Sequence, residues 1–300
     1  MPFVKLPSGL DLYVEEHGRG DALLLVMGTG ADHRFWSAQV PAYEKRFRTI
    51  VYDARGVGKS SVPPDPSSCS MAAMADDAAE LLTALGIERA HVSGLSLGST
   101  VAQEMMIRHP DRVLSAQLHG TWGRSDEWFV RMIETLEEPV KHRDLGAFIR
   151  YALMWITSPS FLADNKQMVG AMEAAFLSEP PHPLGILGHI RADKTHDALD
   201  RLGAIRCPVL VTSGEMDVQV PPRYGREVAK RIPKAKFHLF RGPHASHLAC
   251  VEMAEEFNRV TLRWLQSLGR SRPRAGTSSK RSRPRTPRAS RPRRARGGRG

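Results

Sequence analysis

The sequence predicts an α/β fold with a mostly parallel central sheet, and two patterns predict it. Short, almost continuous apolar runs alternate with segments whose apolar residues recur every three or four positions. The runs are typical of strands buried on both faces of a parallel sheet, and the second spacing is typical of helices that pack on such a sheet. The 300 residues are enough for one large core or two smaller ones.

Six apolar runs are the predicted strands. They cover 22–27, 48–52, 90–93, 113–118, 208–213 and 236–240. The segments with helical spacing are 74–85, 97–105, about 222–231 and 253–268. Gly86 and Pro110 follow the first two of these segments, as expected where helices end. Strands that alternate with helices form β–α–β units, whose strands run parallel in one sheet.

Residues 121–204 show a different pattern from the rest of the chain. They combine helical spacing with many large apolar side chains, and they contain no clear strand. We therefore expect residues 1–120 and 205–269 to form an α/β core. The segment 121–204 is expected to be a helical cap, inserted between two strands of that core.

Residues 270–300 carry the excess positive charge of the chain, whose net charge is +11. They hold 13 of the 43 Lys and Arg residues and no Asp or Glu, which leaves 30 basic against 32 acidic residues in 1–269. The nearly neutral body therefore gives no sign of a nucleic-acid-binding face. The segment 270–300 has no aromatic and no large aliphatic side chain, so we expect it to be disordered. It is either a dispensable extension or a tether to nucleic acid or an acidic partner.

The cysteine content and the length of the apolar runs indicate in which compartment the protein is found and which cofactors it lacks. Three widely spaced cysteines do not make a disulfide framework or a cysteine zinc site, and they suit the reducing cytoplasm. No run approaches the roughly 18–20 apolar residues of a membrane helix, and the first residues lack the core of a secretory signal. None of the 12 histidines lies in an HExxH pattern, so neither a metal nor a cofactor is predicted.

The strongest local signal is Gly94-Leu95-Ser96-Leu97-Gly98. It follows a predicted strand and begins a predicted helix, which is the context in which a G-x-S-x-G turn presents a nucleophilic serine. Such a turn strains the backbone of its central residue, and the flanking glycines remove Cβ atoms that would collide with neighbouring backbone. We therefore predict that the Ser96 hydroxyl stands free at the C-terminal edge of the sheet.

A nucleophilic serine needs a base, and that base needs an acid to orient it. The predicted strand 208–213 leads into a loop that contains Asp217, our candidate acid, and Glu215 as the nearer alternative. The loop after the last predicted strand carries two histidines, His244 and His247, and either could be the base.

From about residue 10 to residue 268 the chain resembles the α/β-hydrolase superfamily, and within it 3-oxoadipate enol-lactonases and other small carboxylic ester hydrolases. The blocks that carry the resemblance are LLLVMGTG, VYDARGVGKS, VSGLSLGSTVAQEMMIRHPDRV, PVLVTSGEMDVQVPP and ASHLACVEMAEEFN. In these families the base precedes a glutamate by five residues and a phenylalanine by ten. His247 has this spacing to Glu252 and Phe257, whereas His244 does not. The resemblance therefore implies His247 as the base.

The chain order serine, aspartate, histidine also agrees with this fold. The resemblance thus implies a catalytic triad of Ser96, Asp217 and His247. It further implies an oxyanion hole made by the backbone N–H groups of Leu97 and Thr29, in a loop that includes Gly28.

Two positions depart from the pattern of these families. Met27 stands where a histidine is usual, which removes a side-chain support but leaves the backbone N–H donor of the following loop in place. Ser99 stands where a third glycine is common, which would narrow the packing of the helix after Ser96.

Substrates of this architecture bind outside the C-terminal ends of the strands. We name four aromatic residues as candidates for that site, namely Trp36, His119, Trp122 and Trp128. The alternative for Trp36 is a core position under the oxyanion loop, and the alternative for the other three is the core of the cap.

The implied function is hydrolysis of a small carboxylic ester or lactone through an acyl-enzyme, without cofactor or metal. Related families use the same triad for C–C bond hydrolysis and for cofactor-free haloperoxidase chemistry, and both remain alternatives. Outside the enzymes, the alternative is a hydrolase-like binding protein that residues 270–300 tether to nucleic acid. The expected partner is a small molecule, with no membrane contact.

Overall fold

The computed structural model of the chain describes residues 2–269 and 297–298, and its centre is an eight-stranded sheet. The strands are β1 (Phe3–Lys5), β2 (Asp11–His17), β3 (Asp21–Val26), β4 (Phe47–Tyr52), β5 (Ala90–Leu95), β6 (Val113–His119), β7 (Val209–Gly214) and β8 (Ala235–Phe240). Their order across the sheet is β1-β2-β4-β3-β5-β6-β7-β8. β1 pairs antiparallel with β2, and β2 pairs antiparallel with β4, whereas the neighbours from β4 to β8 pair parallel. The predicted α/β fold with a mostly parallel sheet is confirmed.

The described residues also form eleven α-helices. They are α1 (Val40–Tyr43), α2 (Met71–Ala84), α3 (Leu97–Arg108), α4 (Glu127–Lys141), α5 (Leu145–Ile156), α6 (Pro159–Asp164), α7 (Lys166–Ser178), α8 (Pro183–Thr195), α9 (Pro222–Arg231), α10 (Ala249–Glu252) and α11 (Ala254–Gly269). The four predicted helical segments coincide with α2, α3, α9 and α11.

Helices cover both faces of the sheet, and this explains why the sequence of β3 is apolar at nearly every position. Successive strand residues point to opposite faces. Leu24 and Val26 pack with residues of α2 and α3 in one apolar cluster. Leu23 and Leu25 pack with Tyr43 and residues of α11 in a second cluster. Because both faces are buried, the run is apolar at every position instead of alternating.

The sequence does not predict β1, which forms one edge of the sheet, or β2, which lies between β1 and β4. In β2, buried Leu12 and Val14 alternate with half-buried or exposed positions, most of which are polar. This weak alternation reflects a strand near the edge of the sheet, where one face is less completely covered than in the centre.

The chain between β6 and β7 is helical, as expected. Helices α4 to α8 lie here, and a single isolated bridge pairs Arg124 with Asp197 near the two ends of the segment. One face of α4 is buried and carries Phe129, Met132, Ile133, Leu136 and Val140. The division of the chain into an α/β core and a cap at 121–204 stays a prediction.

The basic segment 270–300 lies outside the described residues except for Gly297 and Gly298, so the expectation of disorder there also falls outside them. Within the described residues, no helix combines the length and the apolar character needed to span a membrane.

Candidate active site

The turn between β5 and α3 places Ser96 at the C-terminal edge of the sheet. Ser96 has φ 56° and ψ −127°, a conformation that costs a residue with a side chain about 1–3 kcal/mol. A Cβ atom on Gly94 would lie 2.1 Å from the Gly98 carbonyl oxygen, and one on Gly98 would lie 2.1 Å from the Val26 carbonyl oxygen. The glycines therefore permit the close packing that the strained turn requires, as the sequence predicts.

The Ser96 hydroxyl does not cap α3, and the residue lines a cavity above the sheet. The Ser96 N–H donates to the His119 carbonyl oxygen at 2.9 Å, which ties the turn to the end of β6. Ser99 Oγ donates to the Ser96 carbonyl oxygen at 2.6 Å. The departure at Ser99 therefore adds a hydrogen bond that supports the turn.

Asp217 and His247 form a buried pair. His247 Nδ1 lies 2.8 Å from Asp217 Oδ2, and the two side chains are 2% and 0% exposed. Asp217 Oδ1 accepts from the Val220 N–H at 2.7 Å, which fixes the carboxylate. A carboxylate can only accept, so Nδ1 carries the ring proton and Nε2 is left as a basic nitrogen.

His247 Nε2 is buried, and it has no hydrogen-bond partner among the residues that the structure describes. The imidazole lines the same cavity as Ser96. The structure therefore brings the predicted base and the predicted nucleophile to one cavity, with the proton-accepting nitrogen free.

Glu215, the alternative candidate acid, and His244, the alternative candidate base, have other partners. Glu215 Oε1 accepts from the Gly242 N–H at 2.5 Å and the carboxylate lies 3.6 Å from Arg241, so Glu215 braces the loop after β8. The His244 side chain is 37% exposed, and its Nδ1 lies 3.8 Å from Glu252. Neither of them takes part in the buried pair.

Sequence reasoning missed Gly120, which follows β6 directly. This glycine has φ +53°, and a Cβ atom there would lie 2.7 Å from His247 Cε1 and 3.5 Å from Asp217 Oδ2. The absent side chain thus makes room for the imidazole. A glycine immediately after an apolar strand was the available signal.

The loop after β3 packs against Ser96. A Cβ atom on Gly28 would lie 3.0 Å from Ser96 Cβ, and Gly28 and Thr29 both line the cavity. Leu97 is the first residue of α3, and its side chain is fully buried. This arrangement is compatible with oxyanion donation by the backbone N–H groups of Thr29 and Leu97, which stays a prediction.

Two residues of α8 hold this loop, and the sequence gives no local signal for them. The Gly30 N–H donates to His189 Nδ1 at 3.3 Å. The other ring nitrogen of His189, Nε2, donates to the Arg55 carbonyl oxygen at 2.8 Å. Burial lowers the pKa of His189 to about 4, so its ring is neutral. One helical turn later, Asp193 accepts from Thr29 Oγ1 at 2.5 Å. Burial raises the pKa of Asp193 to about 8.

The cavity is mostly apolar. Its polar side chains are Thr29, Ser96, Asp193, Gln219 and His247. Residues of α4 and α5 form much of its wall, namely Phe129, Ile133, Leu136, Phe148, Ile149, Ala152 and Ile156. The helices inserted between β6 and β7 therefore supply the apolar side of the cavity, and the loops at the sheet edge supply the polar side.

Of the four aromatic candidates for the substrate site, Trp122 lines the cavity. Its Nε1 donates to Ser125 Oγ at 3.0 Å, which leaves the apolar face of the ring for the cavity. For Trp36 the structure shows the alternative, a core position, because its side chain is fully buried in the apolar cluster on the α11 face of the sheet and does not line the cavity.

The predictions for His119 and Trp128 are wrong. His119 is buried between strands, where its Nε2 lies 3.0 Å from Ser93 Oγ and its Nδ1 lies 2.7 Å from Thr212 Oγ1. Trp128 is 41% exposed, and the Arg223 guanidinium lies 5.9 Å from its ring centre. The first side chain turns into the core and the second turns to the surface, so neither lines the cavity.

Within the described residues, one group of three side chains could bring metal-ligand atoms within 4.8 Å of one another, namely Asp32, His33 and Asp53. These side chains already serve other contacts. His33 Nδ1 lies 2.6 Å from Asp53 Oδ1, Asp53 also accepts from the Lys59 N–H, and Asp32 pairs with Arg34. The group fastens the loop after β3 to the loop after β4.

The fold and this site define an α/β hydrolase. The family model for the alpha/beta hydrolase fold matches residues 21–252, which is most of the chain, so the chain belongs to that family. The superfamily resemblance found in the sequence is confirmed, and hydrolase activity is the activity that this membership supports.

Individual relatives agree with this assignment. The chain is 32% identical over 260 residues to the "Putative carbamate hydrolase RutD" of Caulobacter sp. (strain K31), which covers 85% of this chain and 95% of that relative. A thermophilic esterase of Thermogutta terrifontis is 29% identical with a TM-score of 0.80, over 89% of this chain and 99% of that one. The enol-lactonase of Burkholderia xenovorans LB400 shares the fold, at 24% identity and a TM-score of 0.79, over 88% of this chain and 100% of that one.

Proposed function

We propose that the protein is a serine hydrolase that cleaves small carboxylic esters or lactones, with Ser96 as its nucleophile. One observation carries the proposal. Ser96, on its strained turn, lines the same apolar cavity as the imidazole of His247, whose Nδ1 is paired with Asp217 and whose Nε2 has no hydrogen-bond partner in the described part of the chain. A serine that is activated by an oriented histidine is the constellation of nucleophilic acyl transfer.

The arrangement performs the reaction in two halves. Ser96 Oγ attacks the carbonyl carbon while His247 Nε2 accepts the hydroxyl proton, and Asp217 stabilises the resulting imidazolium. The backbone N–H groups of Thr29 and Leu97 hold the negative charge that forms on the carbonyl oxygen. His247 then donates its proton to the leaving oxygen. In the second half the same imidazole deprotonates a water molecule, whose oxygen attacks the acyl carbon. The bond from that carbon to Ser96 Oγ then breaks, and His247 returns the proton to Oγ.

The cavity wall indicates the substrate class. Side chains such as Phe129, Ile133 and Phe148 offer apolar contact to an acyl or alcohol group. Apolar contacts distinguish substrates only weakly. Two substrates that differ by one methylene group differ in transition-state binding free energy by only about 1–3 kcal/mol. We therefore expect activity on a range of small esters.

The test is hydrolysis of p-nitrophenyl butyrate by wild type and by Ser96→Ala. We expect the variant to lose at least about a thousandfold in kcat, because the residual donors and binding groups do not replace the nucleophile. A fluorophosphonate should label the wild type at Ser96 and leave the variant unlabelled. Ser178→Ala, at an exposed serine on α7, is the matched control and should keep full activity. Activity of Ser96→Ala within tenfold of wild type would exclude this mechanism, and would favour a binding protein or another chemistry.

A second candidate is hydrolysis of carbamates. It is supported by the relative from Caulobacter, whose name is that of a carbamate hydrolase and which aligns over 95% of its length. The same nucleophile would attack the carbamate carbonyl. The kcat/KM values for p-nitrophenyl acetate and p-nitrophenyl carbamate, which share a leaving group, separate the two candidates. A ring-cleavage dienoate in the same panel tests C–C bond hydrolysis, and a bromination assay with peroxide tests haloperoxidase chemistry.

A further inference from the structure

Asp193 is a residue of the cavity wall and has one buried carboxyl oxygen without a partner among the described residues. The residue lines the cavity and is 1% exposed. Its Oδ2 accepts from Thr29 Oγ1 at 2.5 Å. Its Oδ1 is buried and has no hydrogen-bond partner in the part of the chain that the structure describes. A buried polar atom without a partner is unfavourable, and such atoms in native proteins often have a functional reason.

The surroundings of Asp193 favour its neutral form. Burial raises its pKa to about 8, so the carboxyl group is mostly protonated at pH 7. Among the residues that the structure describes, no positive charge is paired with Asp193, and the ionisable groups nearby have other partners. On its own helix, His189 is a neutral ring bound to the Gly30 N–H, and Lys194 pairs with Glu137 of α4 at 2.7 Å. Across the cavity, His247 is paired with Asp217.

The contact with Thr29 bears on the position of the proton. A neutral carboxyl group has one proton to donate, and its Oδ2 already has the Thr29 hydroxyl as a partner at 2.5 Å. When Thr29 donates in this contact, the carboxyl proton lies on Oδ1. Besides the amide of Gln219, the cavity wall then holds a second hydrogen-bond donor that belongs neither to the proposed triad nor to the proposed oxyanion hole.

We propose that Asp193 determines substrate specificity by donating a hydrogen bond from Oδ1 to an oxygen atom that the substrate carries in addition to its reacting ester group. The class it favours is neutral esters or lactones with a further ether, keto or hydroxyl oxygen, and it disfavours purely aliphatic esters. This inference rests on the proposed function, because Asp193 meets the substrate only if the ester binds in the cavity that contains Ser96.

Selectivity of this kind has a clear physical basis. A site that is built around a buried hydrogen-bonding group rejects a substrate that leaves the group unpaired, whereas apolar contacts discriminate weakly. If Asp193 only braced the oxyanion loop through Thr29, its replacement would slow all esters equally. A change in the ratio between matched substrates therefore separates the two roles.

The experiment uses two pairs of esters that differ by one oxygen atom in place of a methylene group. p-Nitrophenyl methoxyacetate and p-nitrophenyl butyrate place the difference in the acyl group, and 2-methoxyethyl acetate and butyl acetate place it in the alcohol. The kcat/KM ratio of each pair is measured for wild type, Asp193→Leu and Asp193→Asn. The two esters of a pair differ in intrinsic reactivity, but this difference is the same for every protein. It therefore cancels when the kcat/KM ratio of a variant is divided by that of wild type.

We expect Asp193→Leu, in one of the two pairs, to lower the preference for the oxygen-containing ester by about tenfold, because leucine offers apolar volume without a donor. Asp193→Asn should keep the preference, since its amide N–H can replace the Oδ1 proton. In wild type the preference should fall between pH 7 and pH 9 as the carboxyl group ionises, and in Asp193→Asn it should not. This pH profile tests the inference even if Asp193→Leu folds poorly.

Unchanged ratios in both pairs for Asp193→Leu, or a wild-type preference that is constant from pH 7 to pH 9, would overturn the assignment of Asp193. Ser96→Ala is assayed with the same four esters. If it loses all four activities while the ratios stay constant, the serine mechanism stands and only the inference on Asp193 fails. If it keeps them, the proposed function itself fails.

Discussion

At the scale of single residues, glycines make the geometry of the candidate active site possible. Gly28, Gly94 and Gly98 let three backbone segments pack around the strained turn of Ser96, and Gly120 lets the ring of His247 approach β6. At each of these positions a Cβ atom would lie 3.0 Å or less from a neighbouring atom. Only a residue without a side chain satisfies these contacts without a shift of the turn or the ring.

Gly120 allows a direct test of this geometry, because Gly86 is a matched control. Both glycines have positive φ, +53° and +68°, but a Cβ atom at Gly86 would meet nothing within 4 Å. We expect Gly120→Ala to lower kcat/KM by about a hundredfold, since a displacement of about 1 Å at a reacting group costs that much. Gly86→Ala should lose about 1 kcal/mol of stability and keep its activity. The measurements are ester hydrolysis and urea unfolding, and equal activities of the two variants would contradict the role given to Gly120.

At the scale of secondary-structure elements, the loop that carries His247 is fastened to the inserted helices. The buried carboxylate of Glu252 accepts from Ser246 Oγ at 2.6 Å, from the Ser158 N–H at 2.9 Å and from Ser158 Oγ at 2.6 Å. The Leu248 N–H donates to the Ile156 carbonyl oxygen, at the end of α5, at 3.0 Å. His247 is therefore positioned jointly by the loop after β8 and by the segment between α5 and α6.

Glu252→Gln tests this connection. The amide nitrogen of glutamine cannot accept, so one of the three donors is left unpaired in a buried place. We expect the variant to lose about 1–3 kcal/mol of unfolding free energy, and kcat to fall while KM changes little. Glu255→Gln, at an exposed position of α11, should change neither quantity. Thermal or urea unfolding and steady-state kinetics are the measurements, and a Glu252→Gln variant as stable as Glu255→Gln would show that the connection is unimportant.

Local patterns account for the part of this architecture that the sequence predicts. Five of the six predicted strands, β3 to β7, can be recognised in the sequence because nearly all of their residues are buried, whereas β8 lies at the edge of the sheet and is mostly half-buried. Ser96 can be recognised because its turn needs glycines at fixed positions. The spacing from His247 to Glu252 can be recognised for a related reason, because Glu252 accepts a hydrogen bond from Ser246, the residue before His247. Each of these signals lies within a few residues of chain.

The parts that the sequence does not predict depend on contacts between distant segments. Asp193 and His189 reach the loop after β3 from α8, and nothing in the local pattern of α8 marks them as members of the site. The prediction for Trp128 was wrong because the local pattern does not show which way its side chain points. It lies beside the apolar stripe of α4, and only the packing of that helix shows that its ring faces solvent near Arg223.

At the scale of the whole molecule, the two-sided core buries ionisable groups in their neutral forms. His119, His189 and His196 are each 4% exposed or less. Burial lowers their pKa values to about 3, about 4 and about 4 respectively. Asp193 is the opposite case, because burial raises its pKa to about 8. These groups couple the stability of the fold to pH.

The sign of this coupling gives a prediction for the complete protein. In the unfolded chain each histidine regains a pKa of about 6.5. Between pH 6.5 and pH 4 these three histidines therefore bind protons in the unfolded chain but stay largely neutral in the folded protein. The free energy of unfolding falls as the pH falls. Asp193 offsets one of these protons, because over the same range the folded state holds its proton and the unfolded state releases it. We expect the unfolding free energy from urea titrations to fall steadily from pH 6.5 to pH 4.5.

His196→Gln isolates one of these contributions. Removing one buried histidine should reduce the slope of unfolding free energy against pH by about 1.4 kcal/mol per pH unit, because the difference in bound protons falls by one. His142→Gln, whose side chain in the wild type is 80% exposed, should leave the slope as it is. Urea unfolding at half-unit steps of pH measures all three proteins. Equal slopes for His196→Gln and wild type would mean that His196 takes up its proton in the folded state, and that the packing around Trp122 admits a charge.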